Sequence, residues 1–408
     1  MNPSLKGLFI VVAVAVGIRV FAVFFVGDYA EPNAWEYGGI AENVRTGKDY
    51  SFNWYDDEEP IPTSLQGPFY VYFLVAAYSL PHKFLIIQLF QSLVWGINCL
   101  LVYRVIRELG EDKRIASLAA AGVALYPALV FSATQLHHTT FSFALIIGAI
   151  WAFVRARRTA SYRAAASAGV LLGLYALNEP VVFAFLPLGL LWFIWRRKRN
   201  IPAAAFAVVA TVLTILPWSV RNYYVHQHPF FVKSSIWQVL WIGNNPAATG
   251  SLRTERDSSI FYNEMPAELT KRIKNAPTET ERSAILRDAA FTYILENPGD
   301  VLLTDMKKTV HLWWFDPYHP KERHPLNWVP WQFIVLLTGA GIILKGRAVK
   351  EYTPILLLAI SYGITYAVFV PTPRNRFIFI PFFLALAAVT ITSAFQDFKV
   401  FFERKRKP

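Results

Sequence analysis

The chain has 408 residues, 54% of them hydrophobic and 17% charged, with a formal net charge of +12. That balance excludes an ordinary soluble domain, which carries more charge and less apolar surface. The surplus Lys and Arg fall in short clusters between apolar runs, which reads as membrane topology; no nucleic-acid partner is expected.

Residues 8–26 form an apolar run long enough to cross a bilayer. A secretory h-region is shorter, so this run is expected to stay as the first span. Arg19 interrupts it, at a cost unless the side chain snorkels to the outer interface or pairs with a loop acid such as Asp28 or Glu31. The loop 27–68 follows, rich in acids and aromatics, and within it WEYGGIAENV has the period of a short amphipathic helix. The acidic run 56–59 reads as solvated charge, with cation binding as the alternative.

The next segment, GPFYVYFLVAAYSL at 67–80, is apolar but short and is ended by Pro81, whereas 84–106 is long enough to span. If both crossed, every later basic cluster would lie outside. The positive-inside rule therefore makes 67–80 re-entrant or interfacial. Cys99 lies inside the second run, where a lone cysteine offers no disulfide framework and no thiolate metal site. The spans then alternate: 115–133, 139–154, 162–177, 180–195, 201–218, 328–344, 352–370 and 377–394. The expectation is an all-α polytopic membrane protein of about ten transmembrane helices with both ends cytoplasmic.

Three parts follow: an N-terminal transmembrane module at 1–218 carrying the external acidic loop, an external or interfacial segment at 219–327, and C-terminal helices with a basic tail at 328–408. In the middle part AELTKRIKNA and ERSAILRDAAFTYILENP have helical spacing, and VLLTDMKKTVHLWWFDP reads as a helix lying on or dipping into the interface.

Sorting polar residues by side is informative. The cytoplasmic loops are short and almost purely basic. The outer side gathers Asp28, Glu31, Glu36, Tyr37, His137, His138, Asn178, Glu179, Arg221, Asn244, Asn245, Arg374 and Arg376 from distant parts of the chain. A carboxylate of the acidic loop, from Glu36, Asp28 or Glu31, suits a general base. Arg374 and Arg376 enter an apolar run after a Pro-x-Pro turn, against the positive-inside pattern, and could hold a phosphate at head-group depth. Arg221 just past a span is a weaker candidate, equally suited to capping. His137 and His138 suit the lining of a substrate pocket better than a metal site, since adjacent histidines on a helix diverge and no third ligand is in sight. Asn178 fits capping first and substrate contact second. No Walker motif, GxGxxG or CxxC occurs, so no cofactor is expected.

The order of these pieces resembles the GT-C superfamily of membrane glycosyltransferases, in the branch of protein O-mannosyltransferases and aminoarabinose transferases. WEYGGIAENVRTGKDYSF is similar to that branch's first-loop pattern, LQGPFYVYFL to its proline-led segment, PWSVRNY and WIGNNPAATG to stretches of bacterial members, and PRNRFIFIPFFLAL to its ending. The resemblance implies a polyprenyl-phosphate-linked sugar donor, a lipid-linked or envelope-glycan acceptor, and inverting transfer on the outer face of the plasma membrane. It gives Glu36 the base role and Arg374 or Arg376 the phosphate role; the outer-side residues Glu31, Tyr37, His137, His138, Asn178, Arg221 and Asn244 are expected around the substrates. Two positions depart from the pattern. Asn33 and Ala34 stand where many members have an acid, and His137–His138 stand where many have another. These departures leave Asp28 and Glu31 as rival bases. A transporter or lipid flippase is the alternative of another class, and a non-catalytic relative is a third reading.

Overall fold

The computed structural model describes residues 3–54 and 59–405; of the acidic run, positions 56–58 lie outside the described residues, as does the end of the basic tail. In chain order the helices are α1 (Pro3–Phe25), α2 (Trp35–Arg45), α3 (Pro68–Ala77), α4 (Lys83–Glu108), α5 (Lys113–Leu125), α6 (Pro127–Phe131), α7 (Thr139–Thr159), α8 (Tyr162–Ala176), α9 (Leu186–Ile194) and α10 (Ile201–His226). After them come α11 (Ile236–Gly243), α12 (Ile260–Asn263), α13 (Ala267–Asn275), α14 (Glu279–Glu296), α15 (Pro298–Trp313), α16 (Pro325–Lys345), α17 (Thr353–Val368) and α18 (Ile380–Lys405). A two-residue antiparallel ladder, β1 (Ser51–Phe52) with β2 (Ile61–Pro62), closes part of the first loop.

The chain is a multi-pass, all-α membrane protein. Among the described residues six helices are long and apolar enough to cross a bilayer, and α5 with α6 makes a seventh, bent by 56°. The remaining expected spans are helical but short or broken: α8 has 15 residues, α17 has 16, and α9 has 9 after a 3-10 turn. The helix α3, ten residues long, reaches only about 15 Å at 1.5 Å per residue and cannot cross alone.

Packing explains several of these elements. Gly169 and Gly173, one turn apart on α8, let α10 come to backbone contact. A Cβ on Gly169 would sit 2.2 Å from the Ala207 carbonyl oxygen, and one on Gly173 would sit 2.6 Å from Thr214. This is the small-xxx-small device of membrane helix pairs, and Thr211 Oγ1 donates across the seam to the Gly169 carbonyl at 3.0 Å.

Arg19 corrects an expectation. It neither snorkels nor meets a loop acid. It is fully buried and donates to the carbonyls of Ala124 at 2.9 Å and Val123 at 3.2 Å, with its guanidinium 4.6 Å from the centre of the Trp95 ring. The α5–α6 break supplies the reason: Pro127 has no N–H for the Val123 carbonyl, and an unpaired carbonyl inside a membrane bundle is costly. The arginine of the first span fills that vacancy.

The two ends of the bundle differ. At one end Arg158 meets Glu351 at 3.1 Å, Lys345 meets Glu111 at 2.6 Å, and Arg197 donates to the Arg157 carbonyl at 2.9 Å, so the basic clusters share one face. At the other end the first loop and the segment 219–327 form a cap with a core of its own, in which Trp54 and Leu65 from the loop pack with Trp241, Phe261, Ile273 and Leu286. Helices α13 and α14 belong to this cap. The end of α15 is docked on the bundle, with the Trp313 ring against Phe379 at 5.2 Å, while its Leu302, Leu303 and Met306 remain exposed.

Candidate active site beneath the cap

The cap end brings five stretches of sequence to one place. Trp35 opens α2 at φ +45°, a left-handed conformation that costs a non-glycine residue on the order of 1 kcal/mol and that clusters at functional sites. Tyr37, one turn into the same helix, is buried with its ring edge-on to His137 at 5.3 Å and tilted against His138 at 5.5 Å. The histidines end the linker before α7, their rings 4.1 Å apart and tilted by 37°. Burial pushes both far down, His138 to about 4, so at neutral pH they act as uncharged hydrogen-bonding rings. His137 Nδ1 bonds Thr139 Oγ1 at 2.7 Å, and His138 Nδ1 bonds Ser142 Oγ at 2.8 Å. Among the described residues no three His, Cys, Asp or Glu side chains gather.

The third stretch follows α8. Glu179 Oε1 lies 3.0 Å from His138 Nε2. Burial pushes its carboxyl up, but Lys233, His138 and Arg374 outweigh burial and hold it at about 2. Beside it Asn178 is buried, and among the described residues neither of its side-chain polar atoms has a hydrogen-bond partner. Gly67 makes this corner possible, since a Cβ there would fall 1.6 Å from the Leu177 carbonyl oxygen.

The fourth stretch is the loop after α10, which carries Lys233. Burial lowers this lysine, with Arg374 also lowering it and Glu179 and Glu36 opposing. Its position is fixed through the next residue. Ser234 donates to Glu279 Oε1 at 2.6 Å, and the same buried carboxylate accepts from Thr63 Oγ1 at 2.7 Å and from the Ser64 N–H at 2.7 Å. Arg221 braces that corner, donating to the carbonyls of Thr63 at 2.8 Å and Tyr50 at 3.1 Å.

The fifth stretch is the 3-10 turn Pro373–Phe379. Asn375 caps it by accepting from the Thr372 N–H at 2.6 Å, and donates to the Tyr366 hydroxyl at 2.6 Å. The two arginines of this turn have different surroundings. Arg376 is buried, ion-paired with Glu322 and stacked 5.0 Å from the Trp331 ring. Arg374 is exposed and, among the described residues, makes no ion pair or hydrogen bond. It stands where two clefts meet. One, of about 680 Å³ counting space open to solvent, is lined by Trp35, Phe131, His137, Lys321 and Arg374 among others. The other, of about 380 Å³, runs into the bundle past His138, Glu179 and three tyrosines. At the lip of the first, Lys321 bonds Gln135 Oε1 at 2.7 Å; the protein packed around its ammonium, together with Arg374, pushes it down to about 8.

The predicted residues therefore separate. Glu36, Tyr37, His137, His138, Asn178 and Arg374 surround one region; Glu36 is half-buried in the first turn of α2, within electrostatic reach of Lys233 and Tyr37. Asp28 is exposed and caps its own turn, accepting from the N–H groups of Ala30 and Glu31 at 3.0 and 2.9 Å, and Glu31 is exposed beside it. Asn244 spends its amide on the carbonyls of Leu240 at 2.8 Å and Val368 at 2.9 Å, and accepts from Lys308 at 3.2 Å. Sequence reasoning passed over Lys233, Lys321 and the tyrosines. The spacing of Tyr362 and Tyr366, one helical turn apart in an apolar run, was the available signal.

No protein-family model and no curated protein sequence matches the chain. Among solved structures, the oligosaccharyltransferase of Archaeoglobus fulgidus tethered with an acceptor peptide aligns at TM-score 0.57 and 16% identity, over 98% of this chain and 50% of that one. The apo form of the same enzyme aligns equally well, over 99% and 52%. The present chain thus spans about half the length of that enzyme. A looser alignment, TM-score 0.41 at 15% identity over 94% of this chain and 77% of that one, is with ArnT from Cupriavidus metallidurans bound to undecaprenyl phosphate. The architecture is the GT-C fold.

Proposed function

We propose that the chain is a GT-C membrane glycosyltransferase that moves a sugar from a polyprenyl-phosphate donor to a lipid-linked or envelope-glycan acceptor, on the outer face of the plasma membrane and with inversion. The observation that carries this reading is Arg374, an exposed arginine that makes no hydrogen bond or ion pair among the described residues and stands where the two clefts meet. A guanidinium so placed is matched by the phosphate of a lipid anchor, and Lys233 reaches the same region. The polyprenyl chain would lie along the apolar bundle, near the short helix α3.

In the reaction the acceptor oxygen attacks the anomeric carbon from the face opposite the phosphate. The bond from that carbon to the phosphate oxygen breaks, and the phosphate leaves with the electron pair, its growing charge met by Arg374 and Lys233. Glu36 takes the acceptor's proton. Glu179 is unsuited to that task, because a carboxyl held at about 2 is a weak base; it fixes His138 and balances the two cations.

The test is sugar transfer by purified protein in lipid nanodiscs, followed by release of polyprenyl phosphate. Glu36→Gln is expected to lower the rate at least about a hundredfold, within the usual contribution of a general base, and Asp28→Asn to leave it near wild type. Full activity in Glu36→Gln removes Glu36 as base. Movement of the lipid-linked sugar across the bilayer without bond cleavage would instead identify a transporter.

A further inference from the structure

Helix α17, with 16 residues, reaches about 24 Å at 1.5 Å per residue, short of the roughly 30 Å of a bilayer's hydrocarbon core. Its start is fixed at the basic end, where the hydroxyl of Tyr352, just before it, donates to Glu111 Oε1 at 2.8 Å. The shortfall of about 6 Å therefore falls at the cap end. Helix α15 lies there, and two contacts set its direction. Lys308 Nζ donates to the carbonyl of Val368, the last residue of α17, at 3.1 Å. Trp313 reaches Gly363, where a Cβ would stand 3.3 Å from the indole Nε1. Five residues on along α15 match five back along α17, so the two helices run antiparallel where they touch.

We infer that α15 completes the span that α17 leaves short, and that the partner of its exposed face is the acyl chains of the cap-side leaflet. Leu302, Met306 and Val310 stand at successive turns with Leu303 beside them, all exposed. On the helix packed against them, α17 exposes Ile360, Ile364 and Val368, so one apolar surface runs from the bundle onto α15. The other face of α15 is spent on the protein, with Lys308, His311 and Leu312 buried.

Depth follows from the same register. A rise of about four residues past Val368 brings the edge of the hydrocarbon level with Thr304. Met306 and Val310 then lie among acyl chains, Leu302 and Leu303 at the boundary, and the exposed Asp300 among head groups. The charges fit this depth. Lys308 also donates to Asp305 Oδ1 at 2.8 Å and Asn244 Oδ1 at 3.2 Å, and its ammonium sits at the C-terminal end of α17, where a cation is favoured. Lys307 is exposed beside the stripe. Helical side chains tilt towards the N-terminus, which here points to water, so its stem carries the ammonium up to the head groups. Thr309, also exposed, donates to the Asp305 carbonyl at 3.0 Å within the helix.

The test is spin labelling of the full chain in lipid nanodiscs, with Asp300→Cys, Met306→Cys and Val310→Cys made in turn. Cys99 is buried, so wild type serves as the unlabelled blank. All three substitutions are at exposed positions, and unfolding midpoints near wild type show the variants folded. Collision of each label with oxygen, which concentrates among acyl chains, is compared with collision with a water-soluble nickel complex. Labels at the positions of Met306 and Val310 should favour oxygen, and the label at that of Asp300 should favour nickel. Nickel favoured at all three overturns the inference and leaves the stripe in water. Oxygen favoured at all three puts the whole helix in hydrocarbon and overturns the composite span. Loss of both collisions at Met306 and Val310, with spin–spin broadening, also overturns it, by showing a second copy of the chain on the stripe. The readout involves no sugar transfer, so it stands or falls separately from the glycosyltransferase reading.

Discussion

Arg374 and Arg376 stand two residues apart on one turn, and substituting each for Gln should produce opposite phenotypes. Arg374 makes no hydrogen bond or ion pair among the described residues, and Glu179 keeps Lys233 as a counter-charge, so Arg374→Gln should move the unfolding midpoint little. Its loss falls on the ligand. A hydrogen bond to a charged group contributes roughly 1.5–3 kcal/mol, and solvent access at this site argues for the low end, about tenfold in affinity for polyprenyl phosphate. Arg376 is buried against Glu322, which also accepts from the Asp316 N–H at 2.8 Å. Removing its charge strands a buried carboxylate, at a cost of about 3–5 kcal/mol. The assays are thermal unfolding in detergent and competition binding of the lipid phosphate on the same preparations. A destabilised Arg374→Gln with normal affinity, or a stable Arg376→Gln with lost affinity, would refute the division of labour between the two arginines.

Three further outcomes are expected. Arg19→Met strands the carbonyls of Val123 and Ala124 and should cost about 1–3 kcal/mol for each group left unsatisfied, read as a lower unfolding midpoint, with Arg19→Lys between it and wild type. Gly67→Ala should fail to fold or lose binding outright, since its methyl would overlap the Leu177 carbonyl; a well-folded, active variant would show that α3 is free to move. Glu279 is held above its usual range by burial, against the pull of Ser234, Thr63 and Ser64. Its folded form therefore keeps a proton that the unfolded chain has lost. Stability should fall as pH rises from the ordinary carboxylate value through the raised one, and Glu279→Gln should flatten that limb of an unfolding-midpoint-against-pH curve.

Much of the frame was legible in the sequence because topology leaves a charge signature. The basic clusters that the positive-inside rule put on one side do touch one another, as Arg158 with Glu351 and Lys345 with Glu111 show. The short α3 was legible from length and Pro81 alone. The gathering of Glu36, His137, His138 and Arg374 followed from sorting polar residues by side. What stayed hidden depended on partners far off in sequence. Nothing near Arg376 announces Glu322, 54 residues away, and Arg19 answers backbone carbonyls, which every residue has and no pattern marks. Lys233 looked like one lysine in a polar loop because its placement depends on Ser234 and a glutamate 45 residues further on. Arg221, read as a candidate ligand for substrate, instead spends its donors on the backbone of the first loop.

The arginine of the first helix also bears on how the protein is made. Translation delivers α1 to the membrane long before the carbonyl it bonds, which lies 105 residues later. At about 5–20 residues per second that interval is roughly 5–20 s. Through it the helix carries a charge that disfavours insertion by about 2.5–3.5 kcal/mol at mid-membrane. The rest of α1 is the most apolar of the candidate spans, which offsets that penalty while the partner is still in the ribosome. Once α5 and α6 arrive, the same residue changes from a liability of insertion into a latch, and a nascent chain truncated before residue 123 should be the form that quality control recognises as incomplete.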